Sequence, residues 1–229
     1  MKKSIFIKLF ALTVMMFSST IAMQAQIDEN TLKRGEFGVR YMPTFTKLDV
    51  RNSIGEVIPG SVSIRQGMGI MLGFNFNKNF GIMAELDYST ISQRYKDLEL
   101  DREVNIRYVN IPIMFAINTS KSSQFNLNIV AGPNFGINAG SEVNTSGSGS
   151  ADTLTAVVVL KRGSVGFAYG AGLEFAMNKS NSLRFDIGIR GFYSFVDITV
   201  KDFTSDRFNA VAKVPKNVIG AYAGITVQF

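Results

Sequence analysis

Ile219-Gly220-Ala221-Tyr222-Ala223-Gly224-Ile225-Thr226-Val227-Gln228-Phe229 ends the sequence, and its reading decides the fold. Val227, Ile225, Ala223, Ala221 and Ile219 are apolar, whereas the residues between them, Gln228, Thr226, Gly224, Tyr222 and Gly220, are small, polar or amphipathic. In a strand this period of two separates the sets onto opposite faces, giving one apolar wall and one that tolerates water. A sandwich strand with one face on a core carries the same pattern. A terminal aromatic such as Phe229, however, is how outer-membrane barrels usually finish, so the rest of the chain must decide between the two.

Seven further segments share the period: Gly35 to Lys47, Arg65 to Asn77, Phe80 to Tyr95, Val104 to Asn118, Gln124 to Asn138, Arg162 to Met177 and Leu183 to Asp197. At roughly 12 to 16 residues each they exceed the usual globular strand of about 5 to 6, and they are long enough for tilted spanning strands, which need about 9 to 11. The connections alternate. Lys78-Asn79, Thr119 to Ser123 and Asn178 to Ser182 are tight and polar; Leu48 to Ile64, Lys96 to Glu103, Ala139 to Lys161 and Ile198 to Lys216 are mostly far longer. Short turns on one rim and long loops on the other are the plan of an outer-membrane barrel, whose even strand number returns both termini to one side. The expected fold is therefore all-β: an eight-stranded antiparallel up-and-down transmembrane β-barrel with short periplasmic turns and long external loops, over residues 35–229.

The start of the chain agrees. Lys2, Lys3 and Lys8 precede an apolar run from Leu9 to Phe17, and Ala25 supplies a small residue at the expected cut, so residues 1–25 read as an export signal and 26–34 as a short N-terminal segment. The signal takes three of 24 basic and none of 18 acidic residues, leaving 21 against 18 and a net charge of +3. That excess, with no basic run interleaved with aromatics, speaks against nucleic-acid binding. The sequence has no Cys, which rules out a disulfide-stapled scaffold and a lipid anchor on cysteine. No later apolar run approaches a spanning helix in length, so a mature membrane-integral chain has to be a closed barrel, which pairs every backbone amide in lipid.

One face of the segments is apolar: Met68, Ile70, Leu72, Phe74 and Phe76 in the second, Phe125 through Ile137 in alternation in the fifth. The opposite face is rich in Gly, Asn and Ser, and it carries Arg40, Glu85, Asp87, Glu174, Arg184, Asp186 and Arg190. The lumen of an eight-stranded barrel is only wide enough for side chains to fill it, and charges there must find partners. These seven residues are expected to form a structural network plugging the lumen. The competing reading makes Glu85 and Asp87, about 6 to 7 Å apart by strand rise, an acid and base pair. The absence of His and Cys removes Ser/His/Asp and Cys/His nucleophilic machinery and the commonest transition-metal ligands. No loop has the Asp-rich spacing of a calcium site. No catalytic, cofactor-binding or metal site is expected, and no cofactor.

Ala139 to Ala151 contains the low-complexity run Asn144 to Ser150, expected as an external loop; the apolar, β-prone Thr153 to Leu160 could extend the barrel or add a strand. Tyr108-Val109-Asn110-Ile111-Pro112-Ile113-Met114 resembles the Tyr-Leu-x-Ile-Pro-Leu-Leu signature of the PorT-like outer-membrane β-barrel family. Ala84 to Ser89 resembles its Glu-Leu-x-Tyr-Ser strand, and Val130 to Gly136 its Ala-Gly-Pro-x-x-Gly strand. The resemblance implies an outer-membrane barrel, mostly without assigned activity, with some members serving the type IX secretion system; it implies no catalytic residue. Pro112, in a strand, removes a ladder donor and is expected to mark a bulge.

The resulting expectation is a non-enzymatic module with a filled lumen, acting through its external loops. A type IX secretion accessory and a small-solute pore are the alternatives. Its partners would be outer-membrane lipid, the barrel assembly machinery, to which Phe229 would present the chain, and other envelope or secretion proteins.

Overall fold

A computed structural model describes residues 32–46, 49–52, 57–58, 63–97, 100–146, 162–196, 210–213 and 216–229. The expected signal at residues 1–25, most of the 26–34 segment and Thr153 to Leu160 lie outside the described residues. The strands are β1 (Gly35–Tyr41), β2 (Thr44–Thr46), β3 (Asp49–Asn52), β4 (Val57–Ile58), β5 (Ser63–Arg65), β6 (Gly67–Asn75), β7 (Phe80–Asp97), β8 (Leu100–Asn118), β9 (Phe125–Ser146), β10 (Gly163–Ala176), β11 (Leu183–Ser194), β12 (Ala210–Lys213) and β13 (Asn217–Gln228).

Ten of these strands form eight staves of one antiparallel sheet that closes on itself where β1 pairs with β13. β1 and β2 are one stave in a single register against β13, with Tyr41 opposite Ala223 and Phe45 opposite Ile219; the break falls at Pro43, which has no N–H to give. β5 and β6 likewise make the second stave. At the seam the Gly35 N–H donates to the Phe229 carbonyl at 2.8 Å and the Phe229 N–H to the Gly35 carbonyl at 2.9 Å. The Phe229 ring covers Gly35 so closely that a Cβ there would lie 2.8 Å from Cδ2. The sheet thus has no open edge around the barrel, the condition lipid imposes on backbone amides.

The period-two reading of the faces holds. Met68, Ile70, Leu72, Phe74 and Phe76 point outward and are exposed, as are Phe125, Leu127, Ile129, Phe135 and Ile137. On β13, Ile219 and Ile225 face out while Tyr222, Thr226 and Gln228 are buried. Aromatic pairs gather on the outside, with Phe80 on Phe115 at 5.8 Å and Phe125 on Phe175 at 5.3 Å near the short turns, and Tyr193 on Phe195 at 5.9 Å at the other rim. Such girdles suit the two membrane interfaces.

The short turns are tied by their own side chains. Asn77 Oδ1 accepts from the Asn79 and Phe80 amides, each at 2.8 Å, and Asn178 Oδ1 from Ser182 and Leu183 at 2.9 and 3.2 Å. Asn181 sits at φ 52°, a left-handed conformation Asn tolerates better than most residues.

Three expectations are corrected. Lys96 to Glu103 is no long loop: β7 and β8 run on as a ladder to the Asp97–Leu100 pair, with residues of opposite charge set across it, Arg94 opposite Glu103 at 3.1 Å and Lys96 opposite Asp101. β9 likewise continues to Ser146, beyond the expected end at Asn138; its 22 residues are about twice what a tilted span needs. The bulge is not at Pro112, whose register against Asn134 is regular. It falls where Arg107 faces Gly140 and Tyr108 faces Asn138, leaving Ala139 as the extra residue. Gly140 adopts φ 144° there, a conformation that only glycine takes easily. β3, β4 and β12 form a small separate sheet joining the first and last long loops.

Candidate functional site: the barrel lumen

The lumen is filled in two charged tiers with a cup above them. The lower tier, at the short-turn end, is built on Lys121. This residue lies in the turn between β8 and β9, and its ammonium reaches back into the barrel, where it is buried. Lys121 Nζ donates to Glu36 Oε2 at 3.0 Å and to Glu174 Oε1 and Oε2 at 2.9 and 3.1 Å. Asn75 and Gln228 each donate to Glu36 Oε1 at 2.7 Å. Asn128 and Asn126 donate to Glu174 at 2.7 and 3.1 Å. The Arg184 guanidinium lies with Nε 3.3 Å from Glu174 Oε2 and donates to the carbonyls of Lys121 and Ser123 at 3.1 and 2.9 Å, holding the turn inside the wall. Burial alone would lower the Lys121 pKa, but the Glu36 and Glu174 carboxylates beside it outweigh that and hold it above the ordinary lysine value.

The upper tier is built on two arginines. Arg40 Nε donates to Asp186 Oδ2 at 2.7 Å, Arg40 Nη1 pairs with Glu85, and Arg190 Nη2 donates to Glu85 Oε1 at 2.6 Å. Both guanidiniums lie on the Tyr222 ring, at 4.6 Å for Arg40 and 5.2 Å for Arg190, a favourable cation–π arrangement where water is excluded. Glycines on the wall make the room. A Cβ on Gly170 would stand 2.6 Å from Arg190 Nη1, and one on Gly224 would stand 2.8 Å from Asp186 Oδ1. Beside the two tiers pack Met71, Met83, Met114 and Val130, flexible or small side chains suited to irregular gaps.

All seven charges expected in the lumen are there and buried. The structure brings Arg40, Glu85, Asp186 and Arg190 into one group and Glu174 with Arg184 into the other. Asp87 lies beside Glu85, makes no ion pair among the described residues, and leaves Oδ2 without a hydrogen bond. The acid and base reading of Glu85 and Asp87 meets a Glu85 already engaged by two guanidiniums. Sequence reasoning missed Glu36 and Lys121. Glu36 shares the parity of Arg40 on the same strand and was legible as inward; Lys121 sits in a turn, where no periodicity marks direction. Among the described residues no three side chains that could ligate a metal come together.

Above the tiers the inward columns change character. On β7, Glu85 and Asp87 give way to Ser89 and Ile91; on β11, Arg190 gives way to Phe192 and Ser194. These line a small cavity toward the long-loop end. The Tyr108 hydroxyl and Asn134 Oδ1, on buried residues of its wall, have no hydrogen-bond partner among the described residues. The three stretches that carry the family resemblance stand side by side here: Asp87 opposite Asn110, Ser89 opposite Tyr108, and Pro112 opposite Asn134.

In fold, the chain is similar to the outer membrane protein OprG from Pseudomonas aeruginosa, with a TM-score of 0.64 at 15% identity over 88% of this chain and 99% of that one. It is also similar to a major outer membrane protein from Thermus thermophilus, with a TM-score of 0.50 at 8% identity over 85% and 99% of the two chains. None of the curated proteins compared matches the chain in sequence. Residues 24–200 match the family described as outer membrane protein beta-barrel domain. With the closed eight-stave sheet, its outward apolar belt and that match across most of its length, the chain belongs to the outer membrane protein beta-barrel domain family.

Proposed function

We propose that this protein is a sealed, non-enzymatic outer-membrane module whose working surface is its external end. The observation that carries the reading is the pair of buried charge tiers across the lumen, in which Lys121 closes the periplasmic side and Arg40, Glu85 and Arg190 the middle. Opening a path for a hydrated solute would strip these charges of partners, which is strongly unfavourable. The lack of His and Cys supports a role without catalysis. Purified protein in planar bilayers is expected to stay silent under conditions where a known porin conducts; unitary conductance steps would overturn the reading in favour of a small-solute pore.

The PorT-like motifs favour a narrower reading, an accessory of type IX protein secretion. They cluster on β7, β8 and β9, the staves that continue beyond the membrane as projecting strands. Crosslinking in cells followed by recovery of a defined envelope complex through this wall supports it, and a protein recovered only as a monomer argues against it. Phe229, at the seam, is proposed to present the last strand to the barrel assembly machinery. Loss of the protein from the outer membrane on deleting Phe229 is expected; unchanged outer-membrane levels would contradict it.

A further inference from the structure

We propose that the short-turn end of the barrel is a basic rim that holds anionic phospholipid headgroups, of the phosphatidylglycerol type, in the periplasmic leaflet. Four observations carry it, and the first is the sign of the charge. Among the described residues this end exposes Arg34, Lys78 and Lys179 and half-exposes Lys33, with no exposed acidic side chain. The acids nearest to it, Glu36 and Glu174, are buried in the lower tier, where Lys121 and Arg184 already neutralise them, so they subtract nothing from the surface. Asp28 and Glu29, the next acids along the chain, lie outside the described residues; set against the four cations, these two would still leave an excess of two.

The second observation is that these cations are unspent. Arg34, Lys78 and Lys179 form no ion pair among the described residues, and Lys33 Nζ donates to a neutral partner, the Ser180 carbonyl, at 2.6 Å. The opposite end differs: Arg65 and Arg94 meet Glu103, and Arg107 meets Glu142. A cation already held by a carboxylate has little left for a phosphate, whereas an unpaired one can give a phosphate its full charge-assisted bond.

Third, the turns are one linked surface. The Lys121 amide donates to the Lys78 carbonyl at 2.9 Å, and Asn181 Nδ2 to the Ser122 carbonyl at 2.8 Å. The Lys33 bond ties the N-terminal segment to the last turn. The cations are therefore carried on a single cap rather than on independent loops.

The fourth observation, position, selects lipid over a soluble polyanion. Lys78 lies between Phe76 and Phe80, Lys179 just past Met177, and Arg34 beside Gly35, which the Phe229 ring covers. Phe76, Phe80 and Met177 are exposed on the outward face. Such a collar marks the edge of the hydrocarbon, and a Lys or Arg just past it can lay its apolar stem along the collar while its charge reaches the phosphate level. The turn Thr119 to Ser123 sends its own lysine, Lys121, inward and adds no charge to the surface.

The test uses the full protein in phosphatidylcholine bilayers carrying spin-labelled phosphatidylglycerol or spin-labelled phosphatidylcholine, with electron paramagnetic resonance reading the fraction of label held at the protein. Phosphatidylglycerol should be preferred about fivefold at low salt, the worth of roughly one cation beside an anionic headgroup. The preference should shrink toward parity at about 1 M salt, where screening acts over about 3 Å. Combining Arg34→Gln, Lys78→Gln and Lys179→Gln, all at exposed positions outside the lumen, should leave heat-modifiable gel mobility intact and abolish the preference; Lys78→Gln alone should reduce it. Arg94→Gln with Arg107→Gln, at the other end, should keep it. No preference in the wild type, a preference undiminished in the triple variant, or its loss in the outer pair would overturn the proposal. Retention on cell-wall sacculi that the triple variant loses, in a protein without lipid preference, would assign the rim to a cell-wall polyanion and overturn it as well. None of these readouts depends on conductance, so the sealed lumen stands or falls separately.

Discussion

The two halves of the lumen are enclosed by the same eight staves, yet they are finished in opposite ways. The periplasmic half is filled by paired charges: Glu174 alone accepts from Lys121, Asn126 and Asn128 and lies against Arg184, although single atoms of the plug, Arg184 Nε and Asp186 Oδ1 among them, keep no hydrogen bond among the described residues. Among the described residues, the outer half holds no ion pair on its cavity wall and leaves the Tyr108 and Asn134 oxygens without partners. The difference teaches that barrel closure by itself does not dictate how the inside is used. A wall of Gly and small residues accepts either a cross-braced plug or an open cup, depending on which long side chains the inward positions carry.

Substitutions in the two halves should therefore behave differently. The largest effect is expected from Glu85→Ala, which strands Arg190 in the interior and leaves Arg40 with Asp186 alone. Breaking a buried pair from one side costs about 3 to 5 kcal/mol, so the urea midpoint of the folded barrel should fall by the corresponding amount. An unchanged midpoint would show that water reaches the upper tier and that the plug is not dry.

Next in size is Lys121→Met, which leaves Glu36 and Glu174 facing each other. Its cost should approach that of a broken buried pair, about 3 kcal/mol, read from the same urea titration. This residue also gives a pH signature. The folded-state pKa of Lys121 is raised above its unfolded value by Glu36 and Glu174, so its stabilisation is fully present below the unfolded value, about 10.4, and is lost as pH rises through the folded one. Urea resistance of the wild type should fall above about pH 10.4 more steeply than that of Lys121→Met; parallel curves would remove Lys121 from the floor.

Tyr108→Phe should sit at the other extreme. Because its hydroxyl has no hydrogen-bond partner among the described residues, its removal should leave the unfolding midpoint within about 0.5 kcal/mol of the wild type or slightly raise it. A loss of about 2 kcal/mol or more would reveal a bonded hydroxyl and erase the contrast between the halves. The smallest effect is expected outside the lumen, at the projecting hairpin. The Arg107–Glu142 pair, at 2.8 Å with both side chains solvated, should be worth about 0 to 1 kcal/mol, so Arg107→Ala should be nearly silent at physiological salt.

Much of this was legible from the chain alone, for a definite reason. Which face a residue occupies depends only on strand parity, a local property, and so the outward apolar belt, the short turns and the inward placement of Arg40, Glu85, Asp87, Glu174, Arg184, Asp186 and Arg190 could be read without coordinates. The terminal strand ending at Phe229 fell on the barrel side of its ambiguity once seven similar strands and alternating connections stood beside it. Partnership is not local. Arg40 meets Asp186 across 146 positions of sequence and Lys121 meets Glu36 across 85, and those meetings depend on the register in which eight staves close. The bulge at Ala139, the ladder carried to Asp97 and Leu100, the division of the interior into plug and cup, and the inward reach of a lysine from a turn were decided by the tertiary structure. In each case, distant strands had first to be held side by side before a side chain could find, or fail to find, its partner.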